Sequence, residues 1–144
     1  MQYKVIESQY SVHTYVNDWV KQGYKVKQMA GGDQAFHILM EKAEDGYIPN
    51  PTYISKETNS VTEAETFINQ KIEEGYAVEA VCYGGTRIYI LMYQNAPKDY
   101  KLYMASNWSN LQDFANEKAE EGYKVEKIDA GSYDSSFVAM TKNK

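Results

Sequence analysis

QGYKV at 22–26, EGYAV at 74–78 and EGYKV at 121–125 share the pattern Gly-Tyr-x-Val. Their glycines, Gly23, Gly75 and Gly122, lie 52 and then 47 residues apart in a chain of 144. Fixed-period self-similarity is the signature of a repeated structural unit. Upstream of each glycine is a Tyr-containing run that reads as a strand: QYKVIE at 2–7, TYISKE at 52–57 and YKLYMA at 100–105. Downstream come a second extended run, a glycine, and a third, more apolar run: AFHILM at 35–40, RIYILMY at 87–93 and FVAMT at 137–141.

The stretch before each glycine reads as a helix. Positions −11, −8, −7 and −3 from the glycine are apolar in all copies: Val12, Tyr15, Val16 and Val20; Ala64, Phe67, Ile68 and Ile72; Leu111, Phe114, Ala115 and Ala119. Such spacing puts them on one helical face. Thr62-x-x-Glu65 and Ser109-x-x-Gln112 have the capping-box form, whereas the first copy has Tyr10 and His13 there. Each glycine falls where a left-handed C-cap residue belongs.

After the glycine the pattern changes to alternation. Tyr76, Val78, Ala80 and Cys82 are expected on one strand face, and Ala77, Glu79 and Val81 on the other. Gly31-Gly32, Gly84-Gly85 and Gly131 mark the turn of a hairpin into the last strand. The expected fold class is therefore α+β: three tandem β-α-β-β repeats packed as one pseudo-symmetric domain. The boundaries read 1–42 for the first repeat, 52–94 for the second and 99–144 for the third. Linkers at 43–51 and 95–98 hold all three prolines, which suits a boundary because proline cannot donate to a sheet ladder.

A third of 144 residues is a marginal size for an independent fold. In the last strand of the middle copy, Ile88, Ile90 and Met92 alternate with Tyr89, Leu91 and Tyr93, so both faces are apolar. Strands buried on both sides have this composition. The second face is expected to meet a neighbouring repeat, as a pseudo-threefold or sheet-to-sheet assembly, or else a second copy in a homo-oligomer.

The unit, a short Tyr-Lys-containing strand, a helix, E-G-Y-x-V and a Gly-turned hairpin, resembles a small bacterial family known as domain of unknown function 4177. Gly23-Tyr24, Gly75-Tyr76 and Gly122-Tyr123 are the matching positions, with Tyr where that family more commonly has Trp. The resemblance spans three copies and most of the chain. It implies a fold and carries no activity, cofactor or functional residue.

Composition excludes several classes. Hydrophobic residues are 43% of the chain, enough for a core. No apolar run is long enough for a membrane-spanning helix, and the N-terminal MQYKVIESQY lacks the form of a signal peptide, so a cytoplasmic location is expected. Fifteen Lys+Arg against 20 Asp+Glu give −5, and Arg87 is the one arginine. Readers of duplex nucleic acid use basic faces and arginine forks, so duplex binding is not expected. The single Cys82 permits no internal disulfide or Cys-rich zinc site.

No residue pattern points to catalysis or to a bound cofactor. His13 and His37 have no HExxH or Cys partner, so no metal is expected. Cys82 reads as a buried thiol. Glu73-Glu74 and Glu120-Glu121 are adjacent on a helix and do not face each other. The Walker and Rossmann fingerprints are absent.

Tyr24, Tyr76 and Tyr123 recur and read as packing residues, and Trp19 borders the apolar helix face. Non-repeated residues on a repeated frame are where a site would diverge from scaffold. GGTR at 84–87 is the cationic turn of the three. Its glycines permit close backbone approach, and a guanidinium offers five donors to an anion.

The candidate ligand-binding set is Arg87, Tyr83, Tyr89, Tyr133, Trp108, Gly84 and Gly85, with no catalytic residue and no metal ligand. Trp108 is either a contact residue or a hydrophobic staple. The expected function is a non-enzymatic binding protein that sequesters a small anionic or aromatic molecule, such as a nucleotide, between repeats, in a bacterial or phage setting. The alternative is a protein–protein adaptor or inhibitor working through sheet edges or acidic helix faces. An enzyme using His37, a tyrosine or Cys82 ranks third.

Overall fold

The structure is a computed structural model, and it describes residues 2–7, 11–32, 35–46, 52–105, 107–130 and 136–144. The first unit comprises β1 (Tyr3–Glu7), α1 (Val12–Lys21), β2 (Tyr24–Gly31) and β3 (Phe36–Lys42). The second comprises β4 (Tyr53–Thr58), α2 (Val61–Glu73), β5 (Ala77–Gly84) and β6 (Arg87–Tyr93). The third comprises β7 (Lys98–Ala105), α3 (Trp108–Glu120), β8 (Lys124–Ala130) and β9 (Ser136–Asn143). The protein is thus α+β, built from three similar β-α-β-β units. Lys98, assigned to a linker by sequence, instead pairs with Asn143 at the start of β7.

Each unit forms its own three-stranded antiparallel sheet, in the orders β1-β3-β2, β4-β6-β5 and β7-β9-β8. The last strand of each unit inserts between the two that flank its helix, giving a split β-α-β arrangement. That puts the most apolar strand at the centre of each sheet, where both of its edges are paired.

The helix ends follow local chemistry. Gly23, Gly75 and Gly122 have φ of 89°, 94° and 94°, the left-handed region that a Cβ disfavours. In α2 and α3 the Tyr76 and Tyr123 N–H groups donate to the Lys71 and Lys118 carbonyls, while Gly75 and Gly122 donate to Ile72 and Ala119. This is the Schellman pattern. The recurring tyrosines pack as expected: Lys42 and Lys142 lie over the Tyr24 and Tyr123 rings at 5.0 and 4.9 Å. The same ammonium groups donate to the C-cap carbonyls of Gln22 and Glu121.

The N-caps differ from the sequence reading. Ser60, not Thr62, caps α2, accepting from the Glu63 N–H at 3.2 Å. Asn107 caps α3, accepting from the Ser109 N–H at 2.8 Å. Trp108 is therefore the first residue inside α3, past the position a hydrophobic staple needs, and it is 75% exposed. α1 follows Ser11, which is left-handed and makes no side-chain cap.

A β-bulge stands at the same place in every unit, between Val26 and Gln28, Val78 and Ala80, and Val125 and Lys127. The extra residues are Lys27, Glu79 and Glu126. One inserted residue reverses the facing of everything beyond it. The simple alternation expected for β5 therefore fails. Val78 pairs with Met92 and Val81 with Ile90, whereas Cys82 pairs with Tyr89, so Val78 and Cys82 lie on opposite faces.

The two apolar faces of β6 have separate partners. Ile88, Ile90 and Met92 join Val78, Val81, Ala64 and Ile68 of their own unit. Tyr89 and Leu91, with Tyr53 and Cys82, join Val12, Val16, Val20, Phe36, Ile38 and Met40 of the first unit. The neighbouring repeat does cover the second face, as the apolar alternation requires. The contact is in part sheet on sheet, with β2 packed against β5, and in part made through helices. α1 packs on its own sheet and on β4, and α2 packs on its own sheet and on β7, so each of these helices is shared by two sheets. α3 packs on its own β7, β8 and β9. The physical reason is width: one helix stripe cannot cover two sheet faces, but a helix apolar on two sides can fill the space between sheets.

Candidate functional site

The first and second units meet along a cleft of about 220 Å³. His13 from α1, Met29 from β2 and Phe36 from β3 come from the first unit, and Ser55, Lys56 and Glu57 from β4 with Arg87 and Tyr89 from β6 come from the second. Its apolar wall is set by the Phe36 and Tyr89 rings, whose centroids are 4.3 Å apart. Its polar wall carries the Arg87 guanidinium, whereas the Lys56 side chain leaves β4 on the opposite face, in register with Ile90 rather than Tyr89, and its Nζ lies over the Phe67 ring of α2. Arg87 Nη1 pairs with Glu57 Oε1 at 3.0 Å, and Lys56 Nζ with Glu63 Oε1 at 2.9 Å. The hydrogen bond from Lys56 holds the Glu63 carboxyl below its usual range. A guanidinium has five N–H donors, and Arg87 approaches Glu57 through Nη1. Burial raises the Tyr89 hydroxyl above its usual range, and the Glu57 charge adds to the effect.

His13 and Ser55 join the two units at the floor of this region. The His13 backbone N–H donates to Ser55 Oγ at 3.3 Å, and Nδ1 of the same residue lies 2.7 Å from that oxygen. A serine nucleophile requires a base that is itself oriented by a third group. Here the hydroxyl is held twice by one residue, and among the described residues no carboxylate bonds to His13. The pair ties the start of α1 to β4.

A second hollow, of about 520 Å³, is bounded by β2, β5 and β8, and all three bulge residues, Lys27, Glu79 and Glu126, line it. The units thus fan around a common centre. Glu79 accepts from the Tyr53 hydroxyl at 2.7 Å, and Lys127 Nζ donates to the Glu79 carbonyl oxygen. Burial raises the Glu79 carboxyl above its usual range, against the opposing effects of Tyr53 and Lys127.

The residues singled out by sequence separate into groups. Arg87 and Tyr89 line the cleft. Gly84 is buried close to the Ala35 and Gly32 carbonyls, so the close approach made there is to the backbone of the first unit. Gly85, at φ 61°, makes the turn. Tyr83 does not line the cleft: its ring stacks on Phe137 of the third unit at 6.3 Å. Trp108 lies away from it on α3. Tyr133 and Gly131 lie outside the described residues. Cys82 is buried, with its thiol pushed up to about 12 by desolvation and secondarily by Asp129. His37 is exposed on β3.

Sequence reasoning missed His13, Ser55, Lys56, Glu57 and Phe36. His13 and Ser55 are 42 positions apart, and only the inter-unit packing brings them together. The one available signal was that His13, like Arg87, has no counterpart of its type in the other repeats. Among the described residues, no group of three His, Cys, Asp or Glu side chains is placed to hold a metal ion. No described helix is long and apolar enough to cross a membrane. Compared with family models, curated proteins and solved structures, the chain matches none.

Proposed function

We propose that this protein is a non-enzymatic, cytoplasmic binding protein that holds a small ring-sized molecule in the cleft between its first and second units, and that each unit is a copy of the bacterial domain it resembles. The observation that carries this reading is the placement of Arg87 in one cleft with the Phe36 and Tyr89 rings, which meet at a tilt of 46°. An apolar aromatic wall beside a cationic edge suits an aromatic ring bearing an anionic or hydrogen-bond-accepting group. Drug-sized ligands occupy cavities of roughly 300–1,000 Å³, so a volume of about 220 Å³ favours a nucleobase or an aromatic carboxylate over an entire nucleotide.

Glu57 sharpens the choice. It already balances Arg87, so the ligand either displaces that carboxylate or bonds the guanidinium's remaining donors. The second course avoids breaking an ion pair and favours neutral acceptors, such as a base carbonyl, over a full negative charge.

Titration calorimetry with nucleobases, nucleosides and aromatic carboxylates tests this. Saturable binding that Arg87→Ala weakens at least about tenfold, roughly 1.4 kcal/mol, is the expected result. Absence of binding across the panel, or binding indifferent to Arg87→Ala, overturns it.

A further inference from the structure

The contact between consecutive units is made twice within the chain, and the two surfaces it needs are left over at the ends. In the first instance α1 seats on β4. Asn17 Nδ2 donates to the Tyr53 carbonyl at 3.0 Å while Oδ1 accepts from the Tyr53 N–H at 2.8 Å, and His13 engages Ser55. In the second, α2 seats on β7, and Glu65 Oε2 accepts from the Met104 N–H at 2.7 Å. Under these helices Tyr53 and Tyr100 are 1% and 5% exposed.

β1 is the counterpart of β4 and β7. Pairing to the central strands aligns Tyr3 with Tyr53 and Tyr100, Val5 with Ser55 and Leu102, and Leu39 with Leu91. This face of the first sheet has the composition that accepts a helix in the second, yet Tyr3 and Val5 are 51% and 62% exposed. At the other end, α3 carries the matching helix surface. Six positions before each cap glycine stands an asparagine: Asn17, Asn69 and Asn116. Ten positions before stand His13, Glu65 and Gln112. Gln112 and Asn116 are exposed. Trp108 occupies the position of Val61, which packs into the core between the second and third sheets.

We propose that copies of this protein associate head to tail, α3 of one seating on the outer face of β1 and β3 of the next, with Trp108 as the apolar anchor and Asn116 bonding the exposed edge of β1 near Tyr3. The occupant is a second copy because the interface continues one that the chain already makes with itself. Such a contact is heterologous: each copy offers two different surfaces, and assembly runs to a ring or an open chain rather than stopping at a two-fold dimer. α3 presents Ala115 and Ala119 where α1 has Val16 and Val20 and α2 has Ile68 and Ile72. The smaller apolar area makes the association weaker than its intramolecular counterparts and reversible with dilution.

Sedimentation of the full chain over a range of concentrations provides the test, with Val5→Asp blocking one end and Asn116→Arg the other. Both positions are exposed, so neither variant disturbs a core. The wild type is expected to associate progressively with concentration and to shift the tryptophan emission to the blue as Trp108 is covered. Each variant alone is expected to associate at least about tenfold more weakly. Mixed, they retain one good end each and are expected to form a one-to-one heterodimer that grows no further. A wild type that stays monomeric at its highest soluble concentration overturns the proposal. So does an association that neither variant weakens, or a mixture that yields no heterodimer.

Discussion

The side-chain amide of Asn17 clasps the backbone of Tyr53, donating to its carbonyl at 3.0 Å and accepting from its N–H at 2.8 Å. Tyr53 lies on β4, an edge strand, whose outward backbone groups would otherwise have no ladder partner. One residue of the first unit thereby substitutes for a missing strand of the second. The Tyr53 hydroxyl continues inward to Glu79 on β5.

Asn17→Ala removes both hydrogen bonds and leaves a part-buried N–H and C=O without that partner. At about 1 kcal/mol for each bond, a loss of roughly 2 kcal/mol is expected in urea unfolding. Asn17→Asp keeps the acceptor and turns the donor into a repulsion, so it is expected to be no better than Asn17→Ala. A variant as stable as the wild type would remove the clasp from any role in stability.

Gly31 and Gly32 are neighbours with opposite requirements. A Cβ on Gly31 would overlap the Tyr83 carbonyl, while one on Gly32 would meet open space. Gly31→Ala must push β2 away from β5 and is expected to cost about 2 kcal/mol or more. Gly32→Ala is expected to stay within about 0.5 kcal/mol of the wild type. Thermal denaturation of the pair, run side by side, measures the closeness of the first two units directly.

Glu79 makes stability depend on pH. Its folded carboxyl binds a proton more tightly than the ordinary value of 4.5 implies, because burial disfavours the charge. In the window above 4.5 the native state holds more protons than the unfolded chain, so stability falls as pH rises to the folded value. Below 4.5 both states are protonated and the penalty vanishes. Glu79→Gln can still accept from the Tyr53 hydroxyl and has no charge to bury. The variant is therefore expected to exceed the wild type in stability at pH 7, with the difference closing near pH 4. A difference independent of pH would contradict this account.

Cys82 is expected to resist alkylation in the folded protein. Raising a thiol from 9.0 to about 12 reduces its thiolate fraction roughly a thousandfold near neutral pH, and burial blocks access as well. Labelling at pH 8 is expected to proceed at the rate of opening, and to become rapid in denaturant. Fast native labelling would place the thiol nearer the surface than its pairing with Tyr89 allows.

Much of the architecture was legible before any fold was known. The Gly-Tyr-x-Val motif located the helix ends because a left-handed cap and the strand entry after it are local backbone matters. The doubled apolar character of Ile88–Tyr93 announced a second covered face because burial leaves a compositional record on each side of a strand. Arg87 and Tyr89 were identified as diverging from the repeat, and they do share a cleft.

Other features could not be read locally. The bulge at Glu79, which parts Val78 from Cys82, comes from how β5 meets β6, and no residue type demands it. Trp108 is separated from the cleft because α3 packs on the third sheet, whereas the cleft lies between the first and second units. The sequence by itself determined three units and the apolar faces each must hide, since periodicity and cap chemistry act over a few residues. Only the tertiary structure decided what hides them: helices shared between sheets, an asparagine closing a strand edge, and His13 beside Ser55. Those pairings join residues dozens of positions apart, and their energies depend on distances that the order of residues does not record.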